Sequence, residues 1–252
     1  MKRTLALLLA LVMAAALFAG CGSGNNAAPA AGSADAAETT KFVMGIDPEY
    51  PPFSYLGDDG DYTGFDVEIC QAVCDYLGWE LEIFGVNWDE KLVQLDSFEC
   101  DCVWSGMTIL DSMKEAGYVI SEPYYDNTQV LVVKSDSGFA SSADLADLAG
   151  TFENVLTCDS FLKCFTELEG GSVDAVFVDM PVAASYVANH EGLTIIDEEL
   201  GAEQYGIAFR ADDAELCAQV EAAVQALVAN GTYAEIAAKY PDIVNNLLFL
   251  AD

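Results

Sequence analysis

The sequence predicts an α/β protein of two lobes, and three observations lead there. From Lys41 the hydrophobic periodicities alternate between strand-like and helix-like stretches. Strand and helix taking turns argues for parallel sheets with helices on both faces. A second run of the same alternation, over 134–204, marks a smaller lobe. With 53% hydrophobic residues in 252, there is enough apolar material for such cores.

In order, KFVMGID (41–47) is an apolar run with polar residues at its end, a strand, and GDDGDYTG (57–64) is turn chemistry. In FDVEICQAVCDYLG, Phe65, Ile69, Val73 and Leu77 recur every four residues, so they form one face of a helix that stops at Gly78. WELEIFG (79–85) alternates apolar and acidic residues, a half-wet strand. A short helix follows around Asp89–Leu95, then strands in CDCVWSG (100–106) and TQVLVVK (128–134). In the second lobe, SADLADLAG (142–150) is a short helix ended by Gly, and FENVLT (152–157) and VDAVFVD (173–179) are strands around the helix DSFLKCFTEL. PVAASYVANH (181–190) is a helix with Pro in its first turn, where the missing N–H does no harm. LTIID and EQYGIAF are strands, 211–229 is a long helix closed by Asn230-Gly231, and 233–239 is a last short one. There are no internal repeats.

Residues 1–20 have a basic start, Lys2 and Arg3, then an apolar run shorter than the roughly 20 residues a spanning helix needs, ending in small residues. That is the pattern of a secretory signal. Cys21 follows directly, in LFAGC. Residues 21–40 are small and polar, with nothing to offset the entropy of ordering, and read as a flexible leash.

Without residues 1–20, 7 basic side chains face 42 acidic ones, a net charge of −35. Such a surface repels nucleic acid and anionic lipid. The seven cysteines after Cys21 cannot all pair internally, and Cys70 and Cys74 fall in an apolar stripe. A Cys158–Cys164 disulfide stays open. With no CxxC and His190 as the one histidine, no metal site and no cofactor is expected.

Nine segments in sequence resemble the extracytoplasmic solute-binding proteins of family 3, the amino-acid-binding lipoproteins of ABC importers. They are GIDPEYPPFSY, YTGFDVEICQAV, NWDEKLVQL, SGMT, SEPYYDNTQVLVVK, SADLADLAG, SVDAVFVDMPVAASYV, EQYGIAFR and ANGTYAEIAAKY, spanning nearly all of 41–240. LFAGC likewise resembles a bacterial lipobox with Cys21 as the lipidated residue, although Phe18 stands where Leu is usual; an ordinary signal peptide is the alternative. The resemblance implies a periplasmic-binding-protein-like fold whose hinge strands are TQVLVVK and EQYGIAF. It gives lobe 1 over 41–133, lobe 2 over 134–204, and a return strand with C-terminal helices (205–252) packing on lobe 1. Ligand would bind in the cleft at strand ends, and the lobes would close over it.

A zwitterionic ligand needs an anion, hydrogen-bond acceptors and a cation. Asp179 fits the first role, and equally well the N-cap of the following helix. Ser105, the Gly106 carbonyl and Thr108 are placed to complete an ammonium shell. By resemblance Tyr50 and Trp88 sandwich the ligand's aliphatic part, and Asp47 meets its side chain.

Two departures fall on the carboxylate side. The family's Arg after SGMT is missing, leaving Lys114 as a flexible point charge without the bidentate fork. After SADLADLAG, about 20–25 residues, most of a βα unit, are absent. The expectation is a lipid-anchored monomer that delivers a polar amino acid or related amine to ABC permease subunits, without catalysis. A non-transport sensing or interaction lipoprotein and a degenerate paralogue with little affinity are the alternatives.

Overall fold

The structure, a computed structural model, describes residues 39–145 and 154–250. The signal segment, Cys21 and nearly all of the leash lie outside the described residues, as do the second half of SADLADLAG and the start of FENVLT.

Strand β1 (Lys41–Ile46) leads into a small antiparallel sheet, β2 (Glu49–Tyr50), β3 (Ser54–Leu56) and β4 (Tyr62–Thr63). The turn residues expected at 57–64 close its last hairpin. Helix α1 (Phe65–Leu77) buries Phe65, Ile69 and Val73, the face set by the four-residue spacing, and Cys70 and Cys74 fall on it too. Gly78 ends it at φ 72, with its N–H donating to the Cys74 carbonyl; a residue with a Cβ would be strained there. Next come β5 (Glu80–Gly85), α2 (Lys91–Asp96), β6 (Cys102–Thr108), α3 (Asp111–Glu115), β7 (Val119–Ile120) and β8 (Tyr125–Lys134). The rest is α4 (Phe161–Gly170), β9 (Ala175–Asp179), α5 (Met180–Asn189), β10 (Leu193–Ile195), β11 (Gly201–Phe209), α6 (Ala214–Asn230) and α7 (Thr232–Ala237).

One sheet runs through the molecule in the order β10-β8-β11-β6-β1-β5, with β9 on β8 and β7 on β11. β1 is parallel to β5 and β6. Every other pairing among the described residues is antiparallel, including those of β8 with β9, β10 and β11. Among the described residues, therefore, no two neighbouring strands of the second half are parallel, contrary to expectation. β9, α5 and β10 form a crossover unit, but β8 runs antiparallel between its two strands. Residues 154–157 of FENVLT form no strand; Val155 there is 80% exposed. β9 keeps β8 as its single neighbour among the described residues.

The described residues belong to one compact unit. α6 and α7 pack on α1, and the C-terminal segment returns to β8 through Leu248 N–H donating to the Tyr124 carbonyl at 2.9 Å. Arg210 is spent on structure. It donates to the carbonyls of Leu95 and Cys100 and pairs with Asp101 and Asp213. All seven described cysteines are free, Cys158 and Cys164 included.

Candidate functional site

Strand register builds the site. Asp179 ends β9 opposite Gln129 of β8, while Glu203 of β11 lies opposite Asn127 on the other side of β8. Asn127 and Gln129 share a face. The Asn127 amide therefore reaches both acids, donating to Asp179 Oδ1 at 2.9 Å and Glu203 Oε1 at 2.8 Å. Gln129 adds a longer bond to Asp179 Oδ1, 3.3 Å. Asn127 is 1% exposed and its Oδ1 has no protein partner, so an acceptor is left over beside two carboxylates.

The Tyr50 phenol donates to Asp179 Oδ2 at 2.8 Å and lies 2.5 Å from the Tyr205 hydroxyl. Burial, then the Tyr205 and Asp179 charges, push its pKa well up, so it stays a neutral donor. Asp179 is 8% exposed and begins α5 without capping it. The side chain makes no capping bond and turns instead to the Tyr50 phenol and the Asn127 amide. Burial raises Glu203's pKa, and the nearby Asp179 charge adds to the effect. The Asn127 amide and the Thr108 hydroxyl oppose it.

Gly106 shows why the SGMT stretch needs its glycine. At φ 52 it sits under the Tyr50 ring, and a Cβ there would come within 2.1 Å of that ring. The Gly106 N–H donates to Asp66 Oδ2 at 2.8 Å, and the Tyr124 hydroxyl donates to the same oxygen at 2.7 Å. Ser105 is fully buried; its hydroxyl accepts from the Asp47 N–H at 3.0 Å and meets the Ser54 hydroxyl at 2.5 Å. That serine holds β6 to the loop after β1 rather than facing the acid cluster.

Asp47 and Trp88 form a second group around a residue that sequence reasoning passed over. Lys91 Nζ lies 4.5 Å over the Trp88 ring and donates to the Trp88 carbonyl at 2.9 Å. Burial lowers the Lys91 pKa, while Asp89 and Asp47 raise it. Burial also raises Asp47, against the Glu49 N–H that it accepts. Lys114 is exposed in the last turn of α3 and takes part in no ion pair among the described residues; its neighbour Met113 is the buried one.

The structure thus gathers Tyr50, Thr108 and Asp179 into one cluster. It sets Asp47 and Trp88 in another, keeps Ser105 and Gly106 as framework, and leaves Lys114 outside both. Asn127, Gln129, Glu203, Tyr205 and Lys91 are additions. For the four on β8 and β11 the signal is strand register, which no periodicity carries; Lys91 begins α2 and is brought in by its contact with Trp88. Among the described residues no group of His, Cys, Asp or Glu is placed to hold a metal ion, and no helix is long and apolar enough to cross a membrane.

The family model described as bacterial extracellular solute-binding proteins, family 3, matches residues 42–242. Among curated relatives, the arginine-binding extracellular protein ArtP of Bacillus subtilis is 29% identical, covering 95% of this chain and 98% of its own. That match runs over 264 residues, more than this chain's 252, so stretches of the relative have no counterpart here. The L-cystine-binding protein TcyJ of Escherichia coli K12 is 31% identical over 81% of this chain and 83% of its own. Among solved structures, the P235GK mutant of ArgBP from T. maritima superposes with a TM-score of 0.73 at 30% identity, covering 79% of this chain and 94% of that one. An ancestral arginine-binding protein bound to glutamine gives 0.73 at 30%, covering 81% and 98%.

Proposed function

The chain belongs to the bacterial extracellular solute-binding proteins of family 3, which bind solutes and are not enzymes, and we propose that it captures a basic amino acid or related amine for an ABC importer. Its relatives are amino-acid-binding proteins of such transporters, several of them named for arginine. In this reading 41–133 and 134–204 are two lobes hinged at β8 and β11, and Cys21 carries the lipid that anchors a monomer outside the cytoplasm.

One observation carries the ligand class. Asp179 and Glu203 share the Asn127 amide, and the Asn127 Oδ1 beside them lacks a donor. Adjacent carboxylates repel, and a positively charged nitrogen relieves both while supplying N–H donors to the spare acceptor. The ligand would take Asp179 Oδ2 from the Tyr50 phenol as the lobes rearrange. For a ligand that also carries a carboxylate, Lys91 beside Trp88 and Asp47 is a half-buried counter-charge. Lys114 is a second, exposed one.

Titration calorimetry on the mature chain with arginine, agmatine and glutamate tests this. Arginine and agmatine should bind, glutamate should not, and Asp179→Asn should weaken both cations by about a hundredfold. Micromolar binding of neutral or acidic amino acids, with no binding of amines, would overturn it. Release of Cys21-bearing peptide only after lipase treatment, from the membrane fraction, would support the anchor.

A further inference from the structure

We infer that the protein holds a second small-molecule site, behind the floor of the cleft, that takes a neutral molecule with a compact apolar body and one hydroxyl. The site is a pocket of about 240 Å³, open at one end, between α1, α6, α7 and the strands β6 and β11. Its walls are largely apolar, with Phe65, Ile69, Ile207, Val224 and Phe249 among them. An apolar cavity of about 150 Å³ already holds benzene in another protein, so the space suits a single ring.

Two polar groups on the wall have no partner in the protein. Trp104 Nε1–H and the Tyr233 hydroxyl are both buried, their residues 3% and 1% exposed. A third, Asp66 Oδ1, belongs to a fully buried carboxyl beside them. The Trp104 indole lies beside the Asp66 carboxyl and favours its charged form without reaching full hydrogen-bond geometry, and burial, then the Asp66 charge, raises the Tyr233 pKa. Buried polar groups are normally paired, so two unpaired ones on one cavity wall, with the Asp66 carboxyl behind them, call for a partner.

The chemistry of these groups selects the ligand head. A hydroxyl accepts from the indole N–H and donates to a carboxylate or a phenol oxygen. An ammonium has no lone pair for the indole N–H. A carboxylate would meet Asp66 inside and Glu122 and Glu221 along the lining. The apolar walls penalise net charge and favour a neutral guest. The other Asp66 oxygen accepts from the Gly106 N–H, so the site adjoins the SGMT stretch without sharing the Asp179 cluster. The inference does not depend on what the cleft binds.

Phenol is the probe, with benzoate and phenethylamine as charged counterparts, added to the full mature chain. At ten times its dissociation constant phenol should raise Tm by about 3–5 °C, and the two charged compounds should leave it unchanged. Ala222 lines the mouth and is exposed on α6, so Ala222→Trp should plug the site. It should abolish the phenol shift while the unliganded Tm stays within about 1 °C. Trp104→Phe should weaken phenol about tenfold, and Asp179→Asn should leave it alone. The inference fails if phenol gives no shift, if benzoate or phenethylamine matches it, or if the shift survives in Ala222→Trp. Should Ala222→Trp not fold, Gln225→Trp at the same mouth carries the same two outcomes.

Discussion

β1 and β9 are both short, apolar strands, yet the halves they belong to are finished differently. β1 has β5 and β6 on its two sides, parallel to it, and α1, α6 and α7 stack beyond. Among the described residues β9 has β8 alone, antiparallel, and its Phe177 is 51% exposed. The consequence is local. On α4, packed against β9, Phe165 is fully buried and stacks on Tyr186 at 3.8 Å between centroids. Two phenylalanines in one half thus stand in opposite environments. Among the described residues the outer edge of the second half has no neighbour, while the ladder to β8 that holds Asp179 is complete.

The comparison can be broken at its largest contrast. Phe165→Ala should cost about 3–5 kcal/mol in urea unfolding, and Phe177→Ala no more than about 0.5 kcal/mol. Similar costs for the two would mean that β9 is covered in solution.

The next contrast is ionic. Asp66 in the first half is held near pKa 7 by burial, against an unfolded value near 4. The folded chain therefore keeps a proton that the unfolded chain releases between those values. Stability contributed by this group is full below about pH 4, declines by up to about 1.4 kcal/mol per unit through the window, and is gone above about 7. Asp66→Asn should flatten the pH dependence of unfolding over that range relative to wild type; parallel profiles would refute the assignment.

Gly106→Ala should destabilise by about 2–3 kcal/mol, because left-handed strain and the Tyr50 contact act together. Pairing it with Tyr50→Ala should recover part of that loss in a double-mutant cycle. Smaller effects separate the charge centres. Glu203→Gln should weaken agmatine about tenfold with little change in Tm. Lys91→Gln should weaken arginine about tenfold and leave agmatine unaffected. Lys114→Ala, at an exposed site, should change either by less than about threefold.

Much of the fold was legible because side-chain period reports which face is buried. α1 appears with its expected face and Gly78 stop, and β9, α5 and α6 fall where the apolar runs place them. FENVLT misleads for a physical reason. Its apolar content suits a strand, but a strand forms only against a partner, and 154–157 have none. The β2–β3–β4 sheet escaped notice because its strands are two or three residues long, below what a period of two can show.

For the site, the residue types were visible and their company was not. Asp179 follows an apolar strand, which marks it as a strand-end carboxylate from sequence alone. That it faces Tyr50 and Asn127 instead of capping α5 follows from the tertiary pairing of β8 with β9 and β11. Sequence determined the acidic surface, the order of strands and helices and the absence of an arginine after SGMT, since these are properties of covalent order. Which carboxylates stand together, and which polar atoms are left unpaired, was decided by register between strands as far as 78 positions apart, from Asp126 to Gln204. Hydrogen-bond ladders set that register in space, and a one-residue slip would have turned every one of these side chains to the other face.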